Sequence, residues 1–413
     1  MISADIVFIT LSASIFFGFI LNALLNKLKI IPVIPLIIIG VVFYYLNSAG
    51  LSPFIASASN YVSGIAIMAI IFNAGMSLRF ERFKRLFIKA NLFMIANVII
   101  SGLIISFILV YLFRYSYIYA LILGFALSGP SSLVVPSTIS MIKADNDIKD
   151  ILKYESVASD IFELILPLTL IQFYLYNGLI SLKSILYSYI AYFVFTNIFG
   201  SILLGFVFAL AWIYLLKRFK RTAQAYAWIL TIAFIMLVYS LSDYMNLNSA
   251  ISVFVTGIVL INVGANRKSL FKSMKADIVD TLKHIYNYQQ EFAFLISTIF
   301  FIFTGILVSY YYYPISYYSL LVITVSLLII VLFRYLLARY IQSDKRDQQS
   351  RKIVAFDIPR GISPLIIASL LYQYGIAQNN TLVIVVSIIF ISSIIYSIGI
   401  MIYKPLKRRG KQN

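Results

Sequence analysis

Apolar stretches of about 18 or more residues, each long enough to cross a bilayer as a helix, recur along the whole chain. Polar clusters separate them, and no polar stretch exceeds about 30 residues, so the pattern leaves no room for a soluble domain. The runs place thirteen spans at about 4–25, 31–47, 59–78, 90–113, 117–142, 151–176, 188–216, 223–244, 248–264, 291–310, 315–338, 355–375 and 381–403. The predicted fold class is an all-α polytopic membrane protein. The longest loop, about 265–290, carries Ile278, Val279, Leu282 and Ile285 at helical spacing and is expected to lie on the inner membrane surface. His284, the single histidine, would be an interfacial side chain there.

Two spans break their own pattern. The fifth contains ALSGPSSLVVPSTIS (126–140) and the twelfth AFDIPRGISPLII (355–367). Pro130 and Pro136 in the first, and Pro359 and Pro364 in the second, each remove a helix hydrogen bond, and Gly129 and Gly361 weaken the helices further. Interrupted backbone survives at membrane depth only where protein or a water-filled cavity receives it. If span 7 is a linker, spans 1–6 and 8–13 form two six-helix units. The broken spans are then fifth in each and run in opposite directions, as inverted repeats with a pair of broken crossing helices require.

Composition agrees: 62% of the 413 residues are hydrophobic and only 12% are charged, against roughly 25% charged in a soluble domain. Mean hydropathy is +0.95. The opening MISADIVFIT has no basic residue before its apolar run, so that run reads as a retained span and not a cleaved signal. There is no cysteine, which excludes disulfides and thiolate metal sites. A net charge of +18 would suggest nucleic acid in a soluble chain. Here all but Arg114, Lys183, Arg334 and Arg360 of the 33 basic residues fall after odd-numbered spans or in the tail. That alternation predicts an outside N-terminus, a cytoplasmic C-terminus and no nucleic-acid partner.

The remaining charges carry the chemistry. Asp160 lies seven residues beyond Lys153, about 10 Å into the membrane, and Arg360 lies eight beyond Lys352, about 12 Å in. The Ser128–Pro136 break falls at about 10–22 Å, so all three can meet. A charge at the bilayer centre costs about 2.5–3.5 kcal/mol even on the most lenient scale, so such groups pair, face the bundle interior or bind ions. Arg360 could neutralise Glu155 or Asp160, with Asp357 competing from nearer the edge. Ser156, Asp160 and Glu163 share one helix face, and Glu155 and Ser159 an adjacent one. Carboxylate, hydroxyl and freed carbonyl oxygens suit Na⁺ or a similar small cation, and the same carboxylate can hold a proton instead. Cation and proton would then compete for one site. Glu163 reads equally as a solvated residue in a cytoplasmic funnel.

At these residues the chain resembles the monovalent cation:proton antiporter family, the sodium/proton exchangers. FNAGMSLRFERFKR (72–85) is similar to the family's third-span signature, and LSGPSSLVVPSTISMI (127–142) to its broken helix. ESVASD (155–160) resembles its Glu-Ser-x-x-Asn-Asp ion site, and PRG (359–361) its Pro-Arg-Gly. SVFVTGIVLIN (252–262) and FFIFTGILVS (300–309) resemble its later glycine-containing spans. The resemblance implies that Asp160 alternately binds cation and proton, with Ser156, Ser159 and backbone oxygens at Ser128 and Gly129 around the ion. It implies a Na⁺ site on Asp160 and Ser156, a structural ion pair of Glu155 with Arg360, and no cofactor beyond the transported ions. It further implies a homodimer in the cell membrane. Residues 1–80 and 223–310 would form the dimerisation domain, 90–176 and 315–403 a mobile core, 188–216 the linker helix and 404–413 a basic tail. Ser159 replaces the family's Asn, Gly129 the acid of the broken helix, and Asn73 the acid of the third span. A single core carboxylate at the motif implies electroneutral exchange, which a second titrating group at Glu163 would undercut; Glu163 and Asn73 are accessory candidates. A sodium-coupled symporter and a K⁺ efflux transporter or channel are the competing readings. An intramembrane aspartyl protease would need two Asp residues within reach of one water; here Asp160 has no partner Asp at mid-membrane on another span, and there is no GxGD sequence.

Overall fold

The computed structural model describes residues 33–78, 87–132, 134–140, 142, 144–177, 195–218, 220–265, 276–311, 314–341, 348–378 and 380–402, together with residues 12, 16 and 20. Span 1, the start of span 7, the cluster Arg79, Arg82, Lys84 and Arg85, and the tail 404–413 therefore lie outside the described residues, apart from those three isolated positions. Among the described residues the structure is helical, with no strand. The elements are α1 (Val33–Ser77), α2 (Phe87–Phe113), α3 (Tyr117–Ala126), α4 (Val135–Ser140), α5 (Asn146–Asn177), α6 (Gly200–Arg218, entered through a π-turn at Phe195–Phe199), α7 (Lys220–Tyr244), α8 (Ser249–Ala265), α9 (Ala276–Tyr310), α10 (Tyr317–Ile341), α11 (Gln348–Phe356), α12 (Ser363–Gln373) and α13 (Thr381–Ile402). Seven of these helices are long and apolar enough to cross a membrane.

These elements do not map one-to-one onto the thirteen expected spans. α1 is continuous over 45 residues, about 68 Å at 1.5 Å per residue and about twice the hydrocarbon thickness. Its apolar stretches Val33–Leu46 and Tyr61–Ser77 coincide with expected spans 2 and 3, but the helix runs on between them without the anticipated break. The expected surface loop is also corrected. From Ala276 onward it is the first part of α9. Leu282 and Ile285, which were to face lipid headgroups, are 1% and 0% exposed. Helix–helix burial has absorbed that amphipathic face, leaving His284 on the exposed side.

The helices pack in two groups. α1, α6, α7, α8 and α9 contact one another, and α2, α3, α4, α5, α10, α11, α12 and α13 form the second set. With little hydrophobic drive between helices in lipid, close approach relies on small residues and shared hydroxyls. Gly40 and Gly305 meet where α1 crosses α9, and Gly75 and Gly257 where α1 crosses α8; a Cβ at Gly40 or Gly75 would collide with the carbonyl of Ile302 or Phe254. Thr256 Oγ1 donates to Gly205 O at 3.0 Å, tying α8 to α6. The two groups touch along a seam where α1 meets α5 and α12, α8 meets α5, and α9 meets α13.

Candidate functional site

Both expected breaks are present. The first lies between α3 and α4 and the second between α11 and α12. Proline and glycine free the backbone groups at each gap, and the gaps satisfy one another: Ser131 N–H donates to Pro359 O at 2.7 Å. Gly361 packs so closely on Ser131 that an added Cβ would sit 3.0 Å from its Oγ. The second break is also held to α13, with Arg360 N–H donating to Ser392 Oγ at 3.2 Å. Pro364 occupies the first turn of α12, where its missing N–H costs nothing.

Asp160, on α5 beside this crossing, is 3% exposed. It lines a cavity of about 370 Å³ at the seam between the two helix groups. Asn73 and Ser77 of α1 and Gln290 of α9 form one wall, and Ser132 and Ile362 of the two breaks flank the carboxylate. Asp150 and Lys153 line the same cavity about three and two turns earlier on α5, so it reaches Asp160 from the end predicted to be cytoplasmic. The Ser132 hydroxyl bonds the Asp160 carboxylate; that of Ser363 lies close by without completing a hydrogen bond. Asn73 Oδ1 also has no hydrogen-bond partner. A carboxylate, a hydroxyl and an unused amide oxygen thus line one water-accessible cavity.

The expected set of ligands shifts accordingly. Ser156 Oγ donates to Lys153 O at 3.1 Å. Ser159 Oγ turns to Ser156 O and Pro130 O, at 3.3 and 3.5 Å. Ser128 Oγ donates to Phe125 O at 2.8 Å, and the Ser128 carbonyl accepts from Arg360 Nη1 at 2.6 Å. A guanidinium on that oxygen repels a cation. Gly129 has no room for a side chain, since a Cβ would collide with Glu163 Oε1 and Ser159 Oγ. Ser132 and Ser363, beside the positions first considered, are the hydroxyls that act on Asp160. The residue types in LSGPSS and PRGIS announced such groups, but not which of them turns inward.

The expected pair of Glu155 with Arg360 is not made. Glu155 binds Arg334 of α10 through two parallel bonds, Nη1 to Oε1 at 2.5 Å and Nη2 to Oε2 at 3.0 Å. Asn97 Nδ2 adds a bond to Oε1 at 2.7 Å. Arg334 Nε donates to Val354 O at 2.9 Å, the guanidinium lies 5.4 Å from the Phe93 ring centre, and Asp357 stands 3.6 Å away. Depth explains the correction. Glu155 lies two residues beyond Lys153 and Arg334 five before Arg339, so both sit within about 8 Å of the same edge. Arg360 is deeper and interacts electrostatically with Glu163, among other groups, without a hydrogen bond between them. Glu163 is buried, and neither carboxylate oxygen has a hydrogen-bond partner. It is no funnel residue: it is 0% exposed.

With this geometry in hand, comparison with known proteins gives a consistent picture. The chain matches the family described as sodium/hydrogen exchanger, transmembrane, over residues 12–403. Two solved structures of the sodium proton antiporter MjNhaP1 from Methanocaldococcus jannaschii superpose on it with a TM-score of 0.68 each. One, at pH 8, is 16% identical and covers 95% of this chain and 94% of its own. The other is 17% identical and covers 97% and 95%. At that identity they establish the fold. Comparison with curated proteins gives no match.

Proposed function

Because the chain belongs to the sodium/hydrogen exchanger family, we propose that it is a secondary active antiporter in which Asp160 holds either a monovalent cation, Na⁺ foremost, or a proton. One observation carries this reading. Asp160 is the carboxylate at the floor of the cavity, set between two broken helices and beside hydroxyl oxygens. An acid buried at membrane depth needs a positive companion, and either ion supplies it. The two compete because they use the same oxygens. Of the acids buried at the crossing, only Asp160 lines the cavity, so one charge moves each way per cycle and the exchange is electroneutral. Such exchange would serve pH homeostasis.

The transport movement follows from the seam. The cavity walls belong to different helix groups, Asp160 to one and Asn73 to the other. Sliding the Asp160 group along the second would carry the carboxylate and its crossing from one membrane face to the other, an elevator form of alternating access. The group containing α1, α7, α8 and α9 would be the stationary part and the homodimer interface, with α6 as linker and the cytoplasm on the Lys153 side. The acid-lined wall of the cavity favours a small cation.

The test uses the purified full-length protein in vesicles loaded at acid pH, with internal pH followed by a dye. Added Na⁺ alkalinises wild-type vesicles, and the rate does not respond to an imposed membrane potential. Asp160→Asn reduces the signal to that of empty vesicles while the variant stays monodisperse. Exchange retained in Asp160→Asn would remove Asp160 from the mechanism.

A further inference from the structure

Glu163 is the buried acid that the exchange reaction leaves unassigned. It lies one turn beyond Asp160 on α5, away from the cavity mouth, and does not line the cavity. Both of its oxygens are buried without a hydrogen-bond partner. Arg360, across the crossing, is bound through Nη1 to Ser128 O, while its Nε and Nη2 are buried without a partner. Two sets of orphaned atoms of opposite charge thus occupy the same core and interact electrostatically. Such orphaning is costly in a low-dielectric interior unless the two groups serve each other. The fit at the first break shows that the arrangement is built. Glu163 Oε1 fills the space in front of Gly129, where any side chain would collide with it.

We propose that Glu163 is a tuning carboxylate of the exchange site: it counters Arg360 from α5 and sets the pH at which Asp160 trades its proton for a cation, without itself carrying a transported ion. This rests on Asp160 being the exchanging group. The groups that face Glu163 are Asp160 and the Ser159 hydroxyl on its own helix, the Gly129 backbone at the first break, and Arg360 at the second. Glu155, Arg334 and Asp357 act on Arg360 from behind. Removing the Glu163 charge has two consequences of the same sign. Asp160 loses a like-charged neighbour, and Arg360 loses the acid that offsets it. Both make an ionised Asp160 cheaper, so cation can enter at lower pH.

The experiment measures exchange rate against pH in vesicles for wild type, Glu163→Gln, Glu163→Asp and Asp160→Asn. Glu163→Gln keeps shape and loses charge; its half-maximal pH moves to the acid side by about one unit or more. Glu163→Asp keeps the charge and stays within a few tenths of a unit of wild type. Should Glu163→Gln not accumulate, Glu163→Met keeps the volume and carries the same reading. A Glu163→Gln profile that overlays wild type overturns the proposal. So does an exchange that responds to membrane potential in wild type but not in Glu163→Gln, because Glu163 would then carry a proton each cycle. Activity in Asp160→Asn removes the underlying exchange reading, whereas an inactive Asp160→Asn with an unshifted Glu163→Gln removes this inference alone.

Discussion

Two guanidinium groups are buried in the same core and held in different ways. Arg334 has a partner on each guanidinium nitrogen: a bidentate carboxylate takes Nη1 and Nη2, a backbone carbonyl takes Nε, and an aromatic ring lies alongside. Arg360 makes one side-chain bond and leaves two nitrogens without partners. The acids differ in parallel. Glu155 accepts from Arg334 and Asn97, whereas Glu163 accepts no hydrogen bond. A fully bonded buried pair has one good arrangement and resists motion. An under-bonded pair beside an ion cavity has more than one arrangement of similar energy, which a moving site requires. We read the first cluster as a pillar tying α2, α5 and α10 together, and the second as the part that responds to the ion.

The comparison breaks first at Arg334. Arg334→Ala strands Glu155 and Asp357 in the core and is expected to cost about 3–5 kcal/mol. Thermal unfolding in detergent, followed by loss of monodisperse protein, measures this. A variant melting with wild type would show that the cluster is no pillar. Arg360→Ala is expected to cost less stability, about 1–3 kcal/mol, because it removes one hydrogen bond and leaves one acid unpaired, while exchange falls with it. The informative quantity is the order of the two melting points. Arg360→Ala melting below Arg334→Ala would invert the assignment of roles.

How the sequence foretold these clusters follows from which physical signal each residue carries. The breaks were legible because proline and glycine act locally: Pro130, Pro136, Pro359 and Pro364 interrupt hydrogen bonding wherever they stand. Asp160 was legible because an acid in an apolar run demands a reason. The partner of Glu155 was not, because pairing depends on how α5 and α10 rotate against each other, and periodicity says nothing of that. The depth of Arg334 relative to Arg339 held the clue, but a basic residue near a helix end reads as snorkelling to the interface. The segment before span 10 misled for a related reason. Ile278, Leu282 and Ile285 make an amphipathic face, and lipid surface and a neighbouring helix select the same pattern. Here α9 buries Leu282 and Ile285 in the protein.

A finer cut through the pillar is Asn97. Its amide donates 2.7 Å to a carboxylate oxygen that Arg334 already holds, and its Oδ1 accepts from Ser101 at 3.1 Å. Asn97→Ala removes one hydrogen bond to a charged group but leaves the salt bridge, so about 1–2 kcal/mol is expected. Exchange measured in intact vesicles should keep its pH profile. A shifted profile would mean that the pillar communicates with the ion site, and the contrast between the clusters would weaken.

The smallest effect is expected at Asn73, across the seam from Asp160. Its Oδ1 faces no hydrogen-bond donor, and it lines the same cavity as the carboxylate from the opposite helix group. If the Asp160 group slides past α1, Asn73 meets the ion only in the conformation seen here. Its amide oxygen can then help bind the cation on one side of the membrane and contribute nothing on the other. Asn73→Ala should raise the half-saturating cation concentration by about 2–5-fold when the cation is supplied from the Lys153 side, equivalent to about 0.4–1 kcal/mol. Supplied from the other side, half-saturation should be unchanged, and so should the maximal rate. Oriented vesicles measure the two directions separately. An equal change in both directions would place Asn73 on the moving part, and no change in either would mean that the ion is held by the Asp160 group alone.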